Sequence, residues 1–447
     1  MKNKMLLSNR SHYKNNNKII FLLMAIMVIN PRDFPVNNIP LIYPAFLFFL
    51  YRFWGVQIMT GLYRVRYLVS VLIFIQAYIL MLRYLDGTPV GIGALAYIIE
   101  PPIVLLIFAV VGARENGLKI IVWSFIFLTT LSTIMGGAVI FEIGWVEDFR
   151  NLLHESTGGS LLSGDFVREE DLKGSYLELR NTGLGTDVVM FGYILTFALV
   201  ATSCMLFDSD TYLSSYRWLI YLCFIILVIG AISNAQRSII IGTVFGLFVY
   251  IFSHIDRKSL SLLSGGLIIL LVAIVGVIIN QLNEIFYLFN NTILDRQILD
   301  SNAGARLYMV APTLLSILDS PLGTPGLPQN YIDAAFKLDW IILKNGNYVA
   351  LGPHNHFMSV IMFAGVYGIM ASIYILNRLR VFFKRIRYSD KRNYENIIFS
   401  SCIGLIVHSF FHNSGFFGLN PPTLIAFGAL WGAINIKRSR FTIVNSK

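Results

Sequence analysis

His354-Asn355-His356 stands directly before an apolar run, and Gly365-Val366-Tyr367-Gly368 follows nine residues after Asn355. An imidazole at the mouth of a membrane crossing is neutral near pH 7 and can accept a proton from a hydroxyl. His354 is therefore the candidate general base, with His356 as its neighbour and competitor. The alternative is a hydrogen-bonded helix cap. Gly365 and Gly368 allow close approach of another helix. Three arginines offer the complementary chemistry. Arg237 follows Ser233-Asn234-Ala235-Gln236 in a tight turn between two apolar runs. Arg306 follows Ser301-Asn302-Ala303-Gly304-Ala305, where a glycine turn before a helical run adds backbone N–H groups to the cation. Arg180, in Leu179-Arg180-Asn181-Thr182-Gly183, approaches the next apolar run. A guanidinium keeps its charge and presents a planar fork of donors, which suits phosphate. The plain alternatives are an interface anchor for Arg237 and solvated side chains for Arg306 and Arg180.

Other polar residues carry less. His408 and His412 lie four apart on one helical face but have no nearby acidic or cysteine partner, so paired polar residues within a bundle fit better than a metal site. Glu100-Pro101-Pro102 is either an ion-path carboxylate or a kink with a paired glutamate. Cys204, Cys223 and Cys402 sit in apolar runs at no metal-binding spacing, and no P-loop or G-x-G-x-x-G pattern occurs. No metal or other cofactor is expected.

The elements that must position these groups follow from composition. The chain has 447 residues, 56% hydrophobic and only 13% charged, where soluble domains carry roughly 25% charged residues. The deficit falls in long uncharged blocks, the mark of membrane helices. The predicted spans are 18–30, 38–54, 67–85, 93–112, 119–141, 187–207, 217–234, 238–254, 264–281, 356–377, 396–412 and 420–436. The expected class is all-α, a single polytopic membrane domain over residues 1–447 with about 12 transmembrane helices. The net charge of +10 lies mostly in short loops and acts as a topological signal, which excludes nucleic acid as the partner. The run Arg378, Arg380, Lys384, Arg385, Arg387, Lys391 and Arg392 belongs in the cytoplasm, whereas short outer loops hold only Arg32, Arg83 and Arg237. Both termini are then cytoplasmic. Two external loops are too long to be simple connectors: 142–186, which is acidic, and 282–355, which carries part of the site and an expected amphipathic surface helix at Leu307–Leu318.

Taken in order, these motifs resemble the O-antigen ligase and O-antigen polymerase superfamily. His354-Asn355, nine residues, then Gly365-x-x-Gly368 resembles its histidine signature. Ser233-Asn234-Ala235-Gln236-Arg237 stands where the family has a serine-rich turn ending in arginine. Gly304-Ala305-Arg306 and Pro321-Leu322-Gly323 precede the histidine as the family's segments do. The departures are Gln236 before the first arginine, Ala305 between Gly304 and Arg306, and a loose match at Asn181-Thr182-Gly183.

The resemblance implies a C-type glycosyltransferase fold with two large periplasmic loops in a bacterial plasma (inner) membrane. It implies a metal-independent, inverting glycosyltransferase whose donor is an oligosaccharide on undecaprenyl diphosphate. His354 would be the catalytic base, Arg237, Arg306 and Arg180 would hold the diphosphate, and Asn355 and His356 would support them. Such an enzyme polymerises repeat units into O-antigen or capsular polysaccharide, with a chain-length regulator protein as a partner. The alternatives are a ligase that transfers glycan to lipid A core, and a flippase or secondary transporter. A transporter should place its essential charges near the bilayer midplane, whereas these lie at the outer rim.

Overall fold

The computed structural model describes residues 20–25, 35–36, 39–40, 56–148, 181–184, 188–207, 216–254, 309–337, 341–344, 347–387 and 393–436, apart from isolated positions. The described chain is mostly helical. Its helices are α1 (Val56–Leu85), α2 (Ala96–Gly112), α3 (Gly117–Ile140), α4 (Val188–Phe207), α5 (Arg217–Asn234), α6 (Arg237–His254), α7 (Val310–Asp319), α8 (Gln329–Lys337), α9 (His356–Arg387), α10 (Asn393–Ser409) and α11 (Pro421–Trp431). Among the described residues, five helices are long and apolar enough to cross a bilayer: Gly61–Leu85, α3, Val189–Phe207, α5 and α9. Ala96–Gly112 and Arg237–Ser253 are shorter apolar helices. The chain is a polytopic membrane protein.

The predicted spans from 93 to 254 coincide with α2 to α6 to within a few residues. α1 begins well before 67, and α9 runs past 377 through its basic stretch. Most of span 38–54 and all of span 264–281 lie outside the described residues, as do residues 149–180 of the first long loop and 255–308.

The bundle is organised around α4, which is buried continuously from Phe191 to Met205 and contacts α3, α5, α6, α10 and α11. Lipid tails are as apolar as leucine, so membrane helices associate through close packing rather than through exclusion of water. The α6–α10 pair is a clear case. A Cβ on Gly242 would lie 2.6 Å from the Gly404 carbonyl oxygen, and a Cβ on Gly404 would lie 2.8 Å from that of Gly242. The two backbones therefore touch, which sets how deeply the end of α10 sits against the start of α6.

Two short antiparallel hairpins depart from the all-α expectation: β1 (Pro35–Val36) with β2 (Ile39–Pro40), and β3 (Ile341–Lys344) with β4 (Asn347–Ala350). In the second, Lys344 pairs with Asn347 across Asn345-Gly346. Asn-Gly between β-prone runs is a strong two-residue hairpin signal, since both residues tolerate positive φ. The amphipathic helix expected at Leu307–Leu318 is α7. It turns Thr313 and Ser316 inward and leaves Leu314, Leu315 and Leu318 exposed. The two inward hydroxyls donate to the carbonyls of Met309 and Pro312, so neither is left unpaired.

The bundle ends differ in charge. Arg64, Arg66, Lys119, Arg217, Arg380, Lys384, Arg385 and Arg387 rim the end where α1, α3 and α5 begin and α9 finishes. The polar turns cluster at the opposite end.

Candidate functional site

Four chain reversals meet at that opposite end: residues 181–184, 233–238, 353–357 and 410–420. The first follows Arg180. Asn181 is buried; its side chain donates to the Thr133 carbonyl (3.0 Å) and accepts from Gly183 N–H (2.9 Å). Its backbone N–H donates to the Ser233 carbonyl (3.1 Å), and its carbonyl accepts from the Asn234 amide (2.8 Å). The turn after Arg180 is thereby tied to the turn before Arg237. That second turn is tight because Ala235 takes a left-handed conformation, φ 58°, ψ 25°, and ends α5. A side chain there costs about 1–2 kcal/mol, and the bonds from Asn181 help to hold it. Arg237 then opens α6 as its first residue, half-buried.

The 410–420 reversal joins α10 to α11 and is the hub. Asn420 caps α11 by accepting from Thr423 N–H (3.1 Å) and Thr423 Oγ1 (2.7 Å), with Pro421 and Pro422 opening the helix. Its amide also donates to Ser414 Oγ (2.9 Å). Tyr193 of α4 donates its hydroxyl to the Ser414 carbonyl, and Gln76 of α1 donates to the Phe417 carbonyl. His412 Nε2 shares a hydrogen bond of 2.9 Å with Ser238 Oγ, the residue after Arg237. His408 lies one turn deeper. Thr196 Oγ1 donates to the Gly192 carbonyl (2.8 Å), so its oxygen accepts from His408 Nδ1–H (3.1 Å). The His408 and His412 rings stack with centroids 4.7 Å apart. Each is engaged by a hydroxyl on a different helix, and among the described residues no group of three or more metal-binding side chains comes together.

The fourth reversal carries His354. Asn355 caps α9, accepting Met358 N–H on its side chain (3.1 Å) and Ser359 N–H on its carbonyl (2.9 Å). Ser359 Oγ returns a bond to the Pro353 carbonyl (2.9 Å). His356 is fully engaged: Nδ1–H donates to the Asn413 carbonyl (3.0 Å), and Nε2 accepts Phe417 N–H (2.9 Å). Both bonds fix one neutral tautomer and occupy both nitrogens, so His356 clips the reversal to the hub. His354, half-buried two residues earlier, is held by a capped turn on one side. On the other side, the Tyr331 hydroxyl donates to the Leu351 carbonyl (3.0 Å).

The glycine pattern after the histidine has a physical basis. Gly365 has φ 57°, ψ −135°, which breaks α9 into two helical pieces. The break frees backbone groups for the Pro321-Leu322-Gly323 turn: Val366 N–H donates to the Pro321 carbonyl (2.8 Å), and Thr324 N–H to that of Met362 (3.2 Å). Tyr78 of α1 closes the outer side of this turn by donating to the Leu322 carbonyl (2.8 Å). The two motifs separated in sequence are halves of one contact.

The segments bearing Arg237 and His354 thus converge on residues 410–418, and the segment after Arg180 joins through Asn181. Arg180 and Arg306 themselves lie outside the described residues. His408 and His412 are paired polar residues within the bundle, as their spacing suggests, but the hub they join was not anticipated. Its one visible signal was His412-Asn413, which repeats the dipeptide at 354.

No curated relative matches the chain. The family model described as O-antigen ligase matches residues 222–373, from the second turn of α5, through the Arg237 turn and His354, to just past the break in α9. This segment holds the candidate base and the half-buried arginine, and its match supports the resemblance of the chain to the O-antigen ligase and O-antigen polymerase superfamily.

Proposed function

We propose that the protein polymerises oligosaccharide repeat units carried on undecaprenyl diphosphate, by glycosyl transfer on the outer face of a bacterial plasma membrane. The observation that carries this reading is the convergence of the Arg237 turn and the His354 turn on one buried polar hub, in a segment that matches the family. In the reaction a hydroxyl of one unit attacks the anomeric carbon of another. The bond from that carbon to the diphosphate oxygen breaks with inversion, and the diphosphate leaves as an anion. His354 takes the proton of the attacking hydroxyl. Arg237, with Arg306 and Arg180, stabilises charge as it develops on the leaving diphosphate. Asn355 and His356 support the base, one by capping its turn and one by clipping it to the hub. These groups suffice for the transfer without a metal.

The charge distribution supports the orientation. The hub lies at the end away from the basic rim, and basic residues mark the cytoplasmic side. Both termini are then cytoplasmic, the count of spans is about 12, and residues 142–186 and 282–355 face outward. The described part of the second loop, with α7, α8 and the β3–β4 hairpin, lies beside the histidine turn and would cover the sugars. A second reading is favoured by the description of the matching family: a ligase that transfers the glycan to lipid A core.

The test is complementation of a strain lacking the gene, followed by reconstitution. His354→Ala, Arg237→Ala and Arg306→Ala should each abolish polymer ladders while the protein inserts normally. Lysine should replace either arginine poorly, since a point charge loses the bidentate geometry. Wild-type ladders from His354→Ala would remove the base assignment. The purified polymerase should extend lipid-linked repeat units alone; a ligase should require lipid A core.

A further inference from the structure

Outside the histidine signature, the described bundle buries one more pair of imidazoles, and the proposed chemistry does not use them. His408 is 0% exposed and His412 8% exposed. Burying two polar rings between helices is costly unless each is paired, and an apolar residue would fill the same space. The placement of the pair gives the reason for it. His408 is pinned to α4 through Thr196, and its depth is set by the Gly242–Gly404 backbone contact one turn below. His412 stacks on His408, so its ring plane is fixed before it meets anything else. Its Nε2 then reaches Ser238 Oγ in the first turn of α6. The first turn of a helix lacks the intrahelical bonds that hold its interior, and this one starts from the strained Ala235.

We infer that His412 is a positioning residue, which aims Arg237 through Ser238 while the next carbonyl, that of Asn413, holds His356 and so the turn bearing His354. One dipeptide thus sets the spacing between the cation and the base. The inference rests on the proposed roles of Arg237 and His354. It gives the His412-Asn413 pair a function distinct from that of His354-Asn355.

The test uses the full chain in lipid nanodiscs with a lipid-linked repeat unit as substrate, recording kcat, KM and the thermal unfolding midpoint. His412→Ala and Ser238→Ala should each lower kcat about 10-fold, and the double variant should lose no more, because both remove one shared bond. His412→Gln should recover most of the rate, since its amide can meet the same hydroxyl. Arg237→Lys should be costly in the parent and nearly free in His412→Ala, where the aim is already lost. The inference is overturned by additive losses in the double variant, by Gln behaving as Ala, or by a rate loss that follows the unfolding midpoint. If His412→Ala does not insert, Ser238→Ala and His412→Gln still decide the matter. Full activity in Arg237→Ala would end the functional reading itself. An inactive Arg237→Ala beside fully active His412→Ala and Ser238→Ala would end only this inference.

Discussion

Gly365→Ala should detach the Pro321–Gly323 turn from α9, and the size of the effect can be worked out. The backbone at φ 57°, ψ −135° lies where side chains are almost never accommodated, a strain of about 1–3 kcal/mol. The added Cβ would stand 2.1 Å from the Pro321 carbonyl oxygen and 2.5 Å from Gly323 N. Both are backbone atoms, so no side chain can swing aside. Relief requires the turn to withdraw, with loss of the Val366–Pro321 and Thr324–Met362 hydrogen bonds, about 1 kcal/mol each. The total is about 3–5 kcal/mol. Thermal unfolding in mild detergent, with ladder formation in a complemented strain, measures it. The variant should unfold earlier and make little polymer. Gly326→Ala is the control, because a Cβ there meets nothing within 4 Å and φ is not positive; it should stay within about 0.5 kcal/mol of the parent. A Gly365→Ala protein as stable and active as Gly326→Ala would refute the break-and-dock account.

The two neighbouring histidines should separate cleanly by assay. His356→Ala removes two buried backbone partners and should cost about 3 kcal/mol of stability, whereas His354→Ala should unfold like the parent and yet make no ladder; equal unfolding midpoints for the two would contradict the assignment. Gly404→Leu should wedge α10 away from α6, since even its Cβ meets the Gly242 carbonyl at 2.8 Å. A loss of about 2–3 kcal/mol with falling ladder yield is expected, against no loss for Gly137→Ala, whose Cβ meets nothing within 4 Å.

Helix positions were legible where an apolar run ends at a charge or a turn residue. Arg217 and Asn234 bound α5, and Arg237 opens α6, as the residue pattern indicates. The extensions were not legible in the same way. α1 carries Arg64 and Arg66 inside its helix, and α9 continues through Arg378 to Arg387, because a helix that leaves the bilayer need not stop there. The β3–β4 hairpin was readable in principle from Asn345-Gly346, but it sits within a long segment whose polarity suggested only a loop. The hub was the least accessible part. Asn413, Ser414 and Phe417 contribute main-chain carbonyls and an N–H, and main-chain groups are present at every position, so no pattern of side chains announces them. The docking of Pro321-Leu322-Gly323 on Gly365 was hidden for a similar reason. Each motif was visible, but that they complete each other depends on where α9 breaks.

The hub also bears on the order of events in biosynthesis. Residues 410–418 leave the ribosome after every other part of the candidate site, so the arginine turn and the histidine turn are threaded into the membrane before the clasp that unites them exists. A nascent chain halted before α10 would display its cation and its imidazole without their common support. Competence therefore arrives late, when α10 and α11 lodge beside α4, and a chain halted earlier would sit idle in the membrane.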